Sequence, residues 1–155
     1  MKSAIVYYSY SGNTRKVASI LAEYLKGKYE IDFIELKARD ESRTFFGQCN
    51  RAFWHKRATI EETNIDLSEY SLVCFGTPVW AFGPAPAMNT YLDMCFGLQG
   101  KDAIVFTTYG SGAGKERCMY HIEKILIKKG ASSVRRFSIQ QLRINDKAHV
   151  LSQLE

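Results

Sequence analysis

A hydroxyl-rich turn follows the first apolar segment of the chain. Residues 4–8 predict a buried strand, and residues 17–25 have the apolar spacing of a helix. The residues between them carry hydroxyl, amide or flexible groups: Ser9, Tyr10, Ser11, Gly12, Asn13 and Thr14. The start of a helix has unpaired N–H groups and a positive dipole end, and this turn contains no acidic residue to repel an anion. We therefore expect the turn to bind a small dianion such as a phosphate.

Two further loops with binding potential follow later apolar strands. The loop at 76–83 contains Thr77, Pro78, Val79, Trp80, Ala81, Phe82 and Gly83, and the loop at 108–114 contains Thr108, Tyr109, Gly110, Ser111 and Gly112. Aromatic side chains can contact a flat ring, and glycines allow the backbone to approach a ligand closely. Each loop alone is equally well explained by a cap, core packing or a flexible turn. Their occurrence after successive strands is what indicates a common site.

The order of the predicted elements places these loops together. Strands are predicted at residues 4–8, 29–36, 72–75, 103–107 and 133–139. Helices are predicted with apolar stripes over 17–25 and 88–95, the second beginning after Pro86, and at about 48–57, 114–129 and 148–154. Strands that alternate with helices form a parallel sheet with helices on both faces. We expect one domain over residues 1–155, with a doubly wound five-stranded parallel sheet in the order 2-1-3-4-5. The carboxyl ends of strands one, three and four would then meet at one edge, where such sheets bind ligands.

The loops resemble those of the flavodoxin superfamily. Residues 8–14 (YSYSGNT) resemble its phosphate loop, which alternates Ser or Thr and ends in Gly-x-Thr. Residues 75–80 (FGTPVW) and 84–86 (PAP) resemble the second flavin loop of a branch shared by small flavodoxins and flavin-dependent NAD(P)H:quinone reductases. The resemblance covers about residues 2–139.

The resemblance implies FMN as the cofactor and a flavodoxin-like fold. The FMN phosphate would be bound by Ser9, Ser11, Gly12, Asn13 and Thr14, with Tyr10 beside them. The flavin ring would lie between one set at Thr77, Pro78, Val79, Trp80, Ala81, Phe82 and Gly83 and another at Thr108, Tyr109, Gly110 and Gly112. No catalytic side chain and no metal ligand are predicted.

Two functions fit these residues. The favoured one is an electron-transfer protein that passes electrons between redox partners; the alternative is an NAD(P)H-dependent FMN or quinone oxidoreductase. The formal net charge of +5 differs from the acidic character of typical flavodoxins and favours acidic partner proteins. We expect a monomer or a homodimer. We also expect a cytoplasmic location, because no apolar run is long enough for a membrane span and the four cysteines form no CxxC pair.

Three other functional classes fit poorly. Residues 110–116 imitate a nucleotide-binding Walker loop, but Tyr109 replaces its first glycine and Glu116 replaces the hydroxyl that would bind magnesium. A response-regulator receiver needs acidic residues where this chain has Ser9 and Thr77. Residues 115–147 hold nine Lys or Arg against three acids, yet contain no known nucleic-acid-binding motif, so we expect no nucleic-acid partner.

Overall fold

The computed structural model describes residues 1–39 and 58–155, and the helix predicted at 48–57 lies outside them. The strands are β1 (Lys2–Tyr7), β2 (Glu30–Glu35), β3 (Leu72–Trp80), β4 (Gly83–Pro84), β5 (Asp102–Tyr109) and β6 (Ser133–Gln140). The helices are α1 (Asn13–Leu25), α2 (Pro86–Met94), α3 (Lys115–Lys128) and α4 (Lys147–Ser152), and a 3-10 turn at Gln141–Arg143 precedes α4.

Five parallel strands form the sheet in the order β2-β1-β3-β5-β6, and the short β4 pairs antiparallel with β3. This confirms the predicted doubly wound architecture. Alternate residues of the central strands face opposite sides, as strand geometry requires. Phe75 packs in a core with Met88 of α2 and Ile122 of α3, whereas Cys74 packs in a second core with Leu21 of α1. The sheet is thus covered on both faces, and its strand ends are left for binding.

β3 is longer than the predicted strand at 72–75. It continues through Thr77 and Pro78 to Trp80, so most of the predicted second loop is strand. β1 ends at Tyr7, opposite Gly76, and beyond that point β3 keeps a parallel neighbour on the β5 side, where Pro78 is opposite Thr108. A proline is tolerated where a neighbouring strand has ended, because its missing N–H has no partner to lose.

A two-residue turn joins β3 to β4. Ala81 and Phe82 form this turn with φ angles of 46° and 68°. Tight hairpin turns with two positive φ angles are usually built from residues such as Asn-Gly. The sequence therefore contains no turn signal at this hairpin, which explains why it was not predicted.

The Phe106 ring of β5 occupies the space over Gly76, its neighbour in β3. The Phe106 ring is fully buried and stacks on Phe137 with the ring centroids 5.7 Å apart. A Cβ atom on Gly76 would lie 2.8 Å from Phe106 Cε1 and closer still to other atoms of that ring. Gly76 is therefore needed for core packing just below the ligand-binding edge.

Candidate functional site

The turn between β1 and α1 presents the start of a helix without acidic residues. Gly12 precedes the helix with a φ of 93°, a conformation that favours glycine. The first turn of α1 contains no acid, so its positive dipole end is not neutralised there. Ser9 Oγ accepts a hydrogen bond from the Arg15 N–H at 3.2 Å, which closes the turn onto the helix. This arrangement suits an anion at the N-terminus of α1.

A cavity of about 230 Å³ lies directly against this helix start. Its lining combines hydroxyl, amide and aromatic groups from four strand ends: Tyr10, Ser11, Asn13, Thr14, Pro78, Trp80, Thr108 and Gln141. None of these side chains carries a charge. A phosphate here would meet neutral donors and the helix dipole.

Two buried hydroxyls connect α1 to β5 inside this cavity. Thr14 Oγ1 and Thr108 Oγ1 are 3.0 Å apart and share one hydrogen bond. Each side chain is about 1% exposed. A hydroxyl that accepts this bond still has its own hydrogen to donate, so the pair can offer a donor to a ligand oxygen.

A second cavity of about 310 Å³ lies between the β3–β4 hairpin and the loop after β5. It is lined by Val79, Trp80, Ala81 and Phe82 on one side and by Gly110, Ser111, Ala113 and Gln141 on the other. Trp80 and Gln141 line both cavities, so the two adjoin. The first cavity therefore offers hydroxyl and amide groups, and the second offers the aromatic side chains of Trp80 and Phe82, which suit a flat ring.

Trp80 is fixed between two tyrosines at the junction of the cavities. Its ring meets Tyr8 edge-on with centroids 5.6 Å apart and Tyr10 edge-on at 5.7 Å. Trp80 is only 4% exposed, so its position is set by packing before any ligand binds. Edge-to-face contacts of this kind are a favourable aromatic geometry.

Several predicted site residues support the loops without lining either cavity. Thr77 Oγ1 accepts from the Ala85 N–H and donates to the Pro78 carbonyl, both at 3.0 Å, and so pins the start of α2 to β3. Lys115 Nζ lies 4.5 Å from the centroid of the Tyr109 ring. A Cβ atom on Gly112 would come within 3.4 Å of that ring. Three more predicted site residues line neither cavity: Ser9, which lines a neighbouring groove, Gly12, which precedes α1, and Gly83, which belongs to β4.

Three lining residues are absent from the predicted set: Ser111 and Ala113, which lie inside the predicted loop at 108–114, and Gln141, which lies outside every predicted loop. Gln141 follows β6 directly and begins the 3-10 turn, so it lies at the same carboxyl edge as the three predicted loops. The signal was available, because the end of the fifth parallel strand must reach the edge where the others end. The strand at 133–139 is predicted from the sequence, but no binding loop is predicted after it.

The described residues contain no reactive thiol. Burial raises the pKa of the Cys74 and Cys118 thiols to about 12 and that of Cys95 to about 11. These thiols stay protonated near neutral pH and are poor nucleophiles. Within residues 1–39 and 58–155 there is also no cluster of His, Cys, Asp and Glu that could bind a metal ion, and no helix there has the length and apolar character to cross a bilayer.

Five parallel strands in the order β2-β1-β3-β5-β6, with two adjoining cavities at their carboxyl edge, form a flavodoxin-like fold. A family model described as NADPH-dependent FMN reductase matches residues 1–141. The chain therefore belongs to the NADPH-dependent FMN reductase family. This membership confirms the predicted superfamily and FMN as the cofactor.

Solved structures with a similar fold include flavodoxins and an NADH:FMN oxidoreductase. A flavoprotein from Lactobacillus acidophilus, solved in complex with FMN, has a TM-score of 0.73 and 23% identity over 95% of this chain and 98% of its own. An oxidised flavodoxin 2 from Bacillus cereus has a TM-score of 0.61 and 17% identity over 100% of both chains. An NADH:FMN oxidoreductase in its apo form has a TM-score of 0.68 and 17% identity over 99% of this chain and 84% of its own. At these identities the likeness extends to the fold alone.

Proposed function

We propose that this chain binds FMN across the two adjoining cavities and passes electrons between redox partners. The observation that carries the proposal is the shared pair Trp80 and Gln141, which join a phosphate cradle to a ring slot. In this arrangement Ser11, Asn13 and Thr14 bind the phosphate, and the hairpin and the 110–113 loop enclose the ring. The bound FMN would supply the redox chemistry, since no described side chain is placed to do so.

The protein's own contribution is to bind and orient the cofactor. Thr14 and Thr108 present a hydroxyl donor from a buried, preformed pair. Trp80 holds its position against Tyr8 and Tyr10, so the ring slot needs little reorganisation on binding. Glycines at 110 and 112 leave the backbone amides of the second wall accessible to the polar edge of a ring.

The electron-carrier role is supported by length and charge. The alignment with the flavodoxin from Bacillus cereus covers 100% of both chains. The net charge of +5 favours acidic redox-partner proteins through long-range attraction. The proposal includes a cytoplasmic location, for which three buried free cysteines are the support.

The family match favours a second candidate, an NAD(P)H-dependent FMN or quinone reductase. The two candidates differ in whether a nicotinamide reduces the bound flavin directly. We would load the protein with FMN, mix it anaerobically with NADPH or NADH alone, and follow the flavin absorbance. A carrier should keep its flavin oxidised and lose the absorbance only when a reductase protein is added.

A control for this experiment is chemical reduction of the same sample, which establishes that the bound flavin accepts electrons. Rapid bleaching by NADPH alone would refute the carrier and favour the reductase. A protein that does not bind FMN would contradict both candidates.

A further inference from the structure

The hairpin wall of the ring slot contacts the chain just beyond the 110–113 loop. Phe82, in the hairpin turn, packs on Gly114, the residue that precedes α3. A Cβ atom on Gly114 would lie 2.7 Å from Phe82 Cα and 2.9 Å from Phe82 Cβ. Such distances are shorter than real Cβ contacts, and two of the crowded atoms are at or next to the backbone. The hairpin can therefore occupy this position only because residue 114 has no side chain.

The hairpin turn is strained where it makes this contact. Ala81 and Phe82 both have left-handed φ angles, which residues with a Cβ atom rarely adopt. The Phe82 side chain is 43% exposed, so burial in the core does not offset that strain. Strained backbone persists where the surroundings fix it, and it is concentrated at ligand-binding sites.

We propose that Gly114 is a positioning residue for the ring slot, a role that rests on the proposed FMN function and deepens it. By admitting Phe82, Gly114 fixes the spacing between the hairpin at 79–82 and the loop at 110–113. Gly114 itself lines neither cavity, so it acts through Phe82. A slot of fixed width accepts one flat ring. A change in that width should weaken the binding of FMN and of riboflavin to the same extent, because both ligands carry the ring and only FMN carries the phosphate.

The test compares Gly114→Ala with Gly100→Ala. Both glycines have left-handed φ angles, +80° and +72°, so alanine strains the backbone equally at each. A Cβ atom on Gly100 meets nothing within 4 Å, whereas one on Gly114 collides with Phe82. The comparison therefore separates the collision from the strain.

We would measure the Kd of each variant for FMN and riboflavin by quenching of flavin fluorescence, with thermal melts of the apo proteins. Gly100→Ala should leave both Kd values within about twofold of wild type, because its site is far from the slot. Gly114→Ala should raise both by about tenfold or more, and to the same extent. Equal Kd values for the two alanine variants would overturn the proposal.

A second variant decides the question if Gly114→Ala does not fold. Phe82→Gly relaxes the turn and removes the wall, so it should melt at or above the wild-type temperature while binding both flavins more weakly. Wild-type affinity in Phe82→Gly would overturn the proposal. Failure of the wild type to bind either flavin would remove the proposed FMN function as well, whereas normal wild-type binding with unaffected variants would remove this inference alone.

Discussion

Replacement of Thr14 by valine isolates the phosphate-binding step. Valine has nearly the shape of threonine, so the substitution removes the hydroxyl and keeps the packing of a residue that is about 1% exposed. Two interactions are lost. One is the 3.0 Å hydrogen bond to Thr108, and the other is the proposed donation from this pair to the FMN phosphate.

The two losses should have different sizes and appear in different measurements. A neutral buried hydrogen bond contributes about 1 kcal/mol net, so the free energy of unfolding of the apo protein should fall by about that amount. A hydrogen bond to a charged group contributes about 1.5–3 kcal/mol, which corresponds to a rise of roughly 10- to 150-fold in the Kd for FMN. Riboflavin lacks the phosphate, so its Kd should change by less than about threefold.

The assay is a pair of fluorescence titrations, one with FMN and one with riboflavin, on Thr14→Val and wild type. Ser19→Ala is the matched control: its hydroxyl lies on the same helix and donates to the Arg15 carbonyl at 3.1 Å, outside both cavities. This control should leave both Kd values unchanged. An equal loss of affinity for the two ligands in Thr14→Val, or no loss for either, would refute the placement of the phosphate.

Three further substitutions test other parts of the structure. Gly76→Ala should lower the free energy of unfolding by about 1–3 kcal/mol, measured by urea denaturation, because overpacking against Phe106 outweighs the smaller gain from a stiffer unfolded chain; unchanged stability would contradict the close approach. Gln141→Ala should weaken FMN and riboflavin alike in the same titrations, whereas its neighbour Leu142, which is 89% exposed, should tolerate alanine; equal effects would contradict the role of Gln141. Asp146→Ala should lower the melting temperature at pH 7 more than Asp146→Asn, because Asp146 caps α4 by accepting from the His149 N–H at 3.0 Å; equal melting temperatures would contradict the cap.

The pH dependence of the Asp146 effect has a definite sign. The His149 N–H, and then Arg143, lower the pKa of Asp146 from its usual 3.8. A lowered carboxyl pKa stabilises the fold above the unfolded value, and this stabilisation is lost as the pH falls through the folded value. Thermal melts between about pH 2 and pH 7 should therefore show less acid sensitivity for Asp146→Asn than for wild type. An identical fall in melting temperature at low pH for Asp146→Asn and wild type would contradict this role of the Asp146 carboxylate.

The sheet could be predicted because its central strands are plain apolar runs. Segments such as 103–107 are buried on both faces and separated by helical patterns, a combination typical of a doubly wound sheet. The hydroxyl turn before α1 could be placed for the same reason, since its position follows from the end of β1. Local pattern and global topology agree at both places.

The hairpin could not be predicted, because its residues contradict local rules. Pro78 indicates a break in the strand, but β1 has already ended beside it and the proline is tolerated. Ala81 and Phe82 are poor turn residues, and the contact that fixes them is made with Gly114, more than thirty residues away along the chain. Such a long-range contact leaves no signal in the local sequence.

A crystal structure of the FMN-loaded protein tests the central claim most directly. We predict that the phosphate lies at the start of α1, with an oxygen about 3 Å from Thr14 Oγ1 or Thr108 Oγ1. The ring should lie between the hairpin at 79–82 and the loop at 110–113. A phosphate bound elsewhere, or a ring outside this slot, would contradict the account.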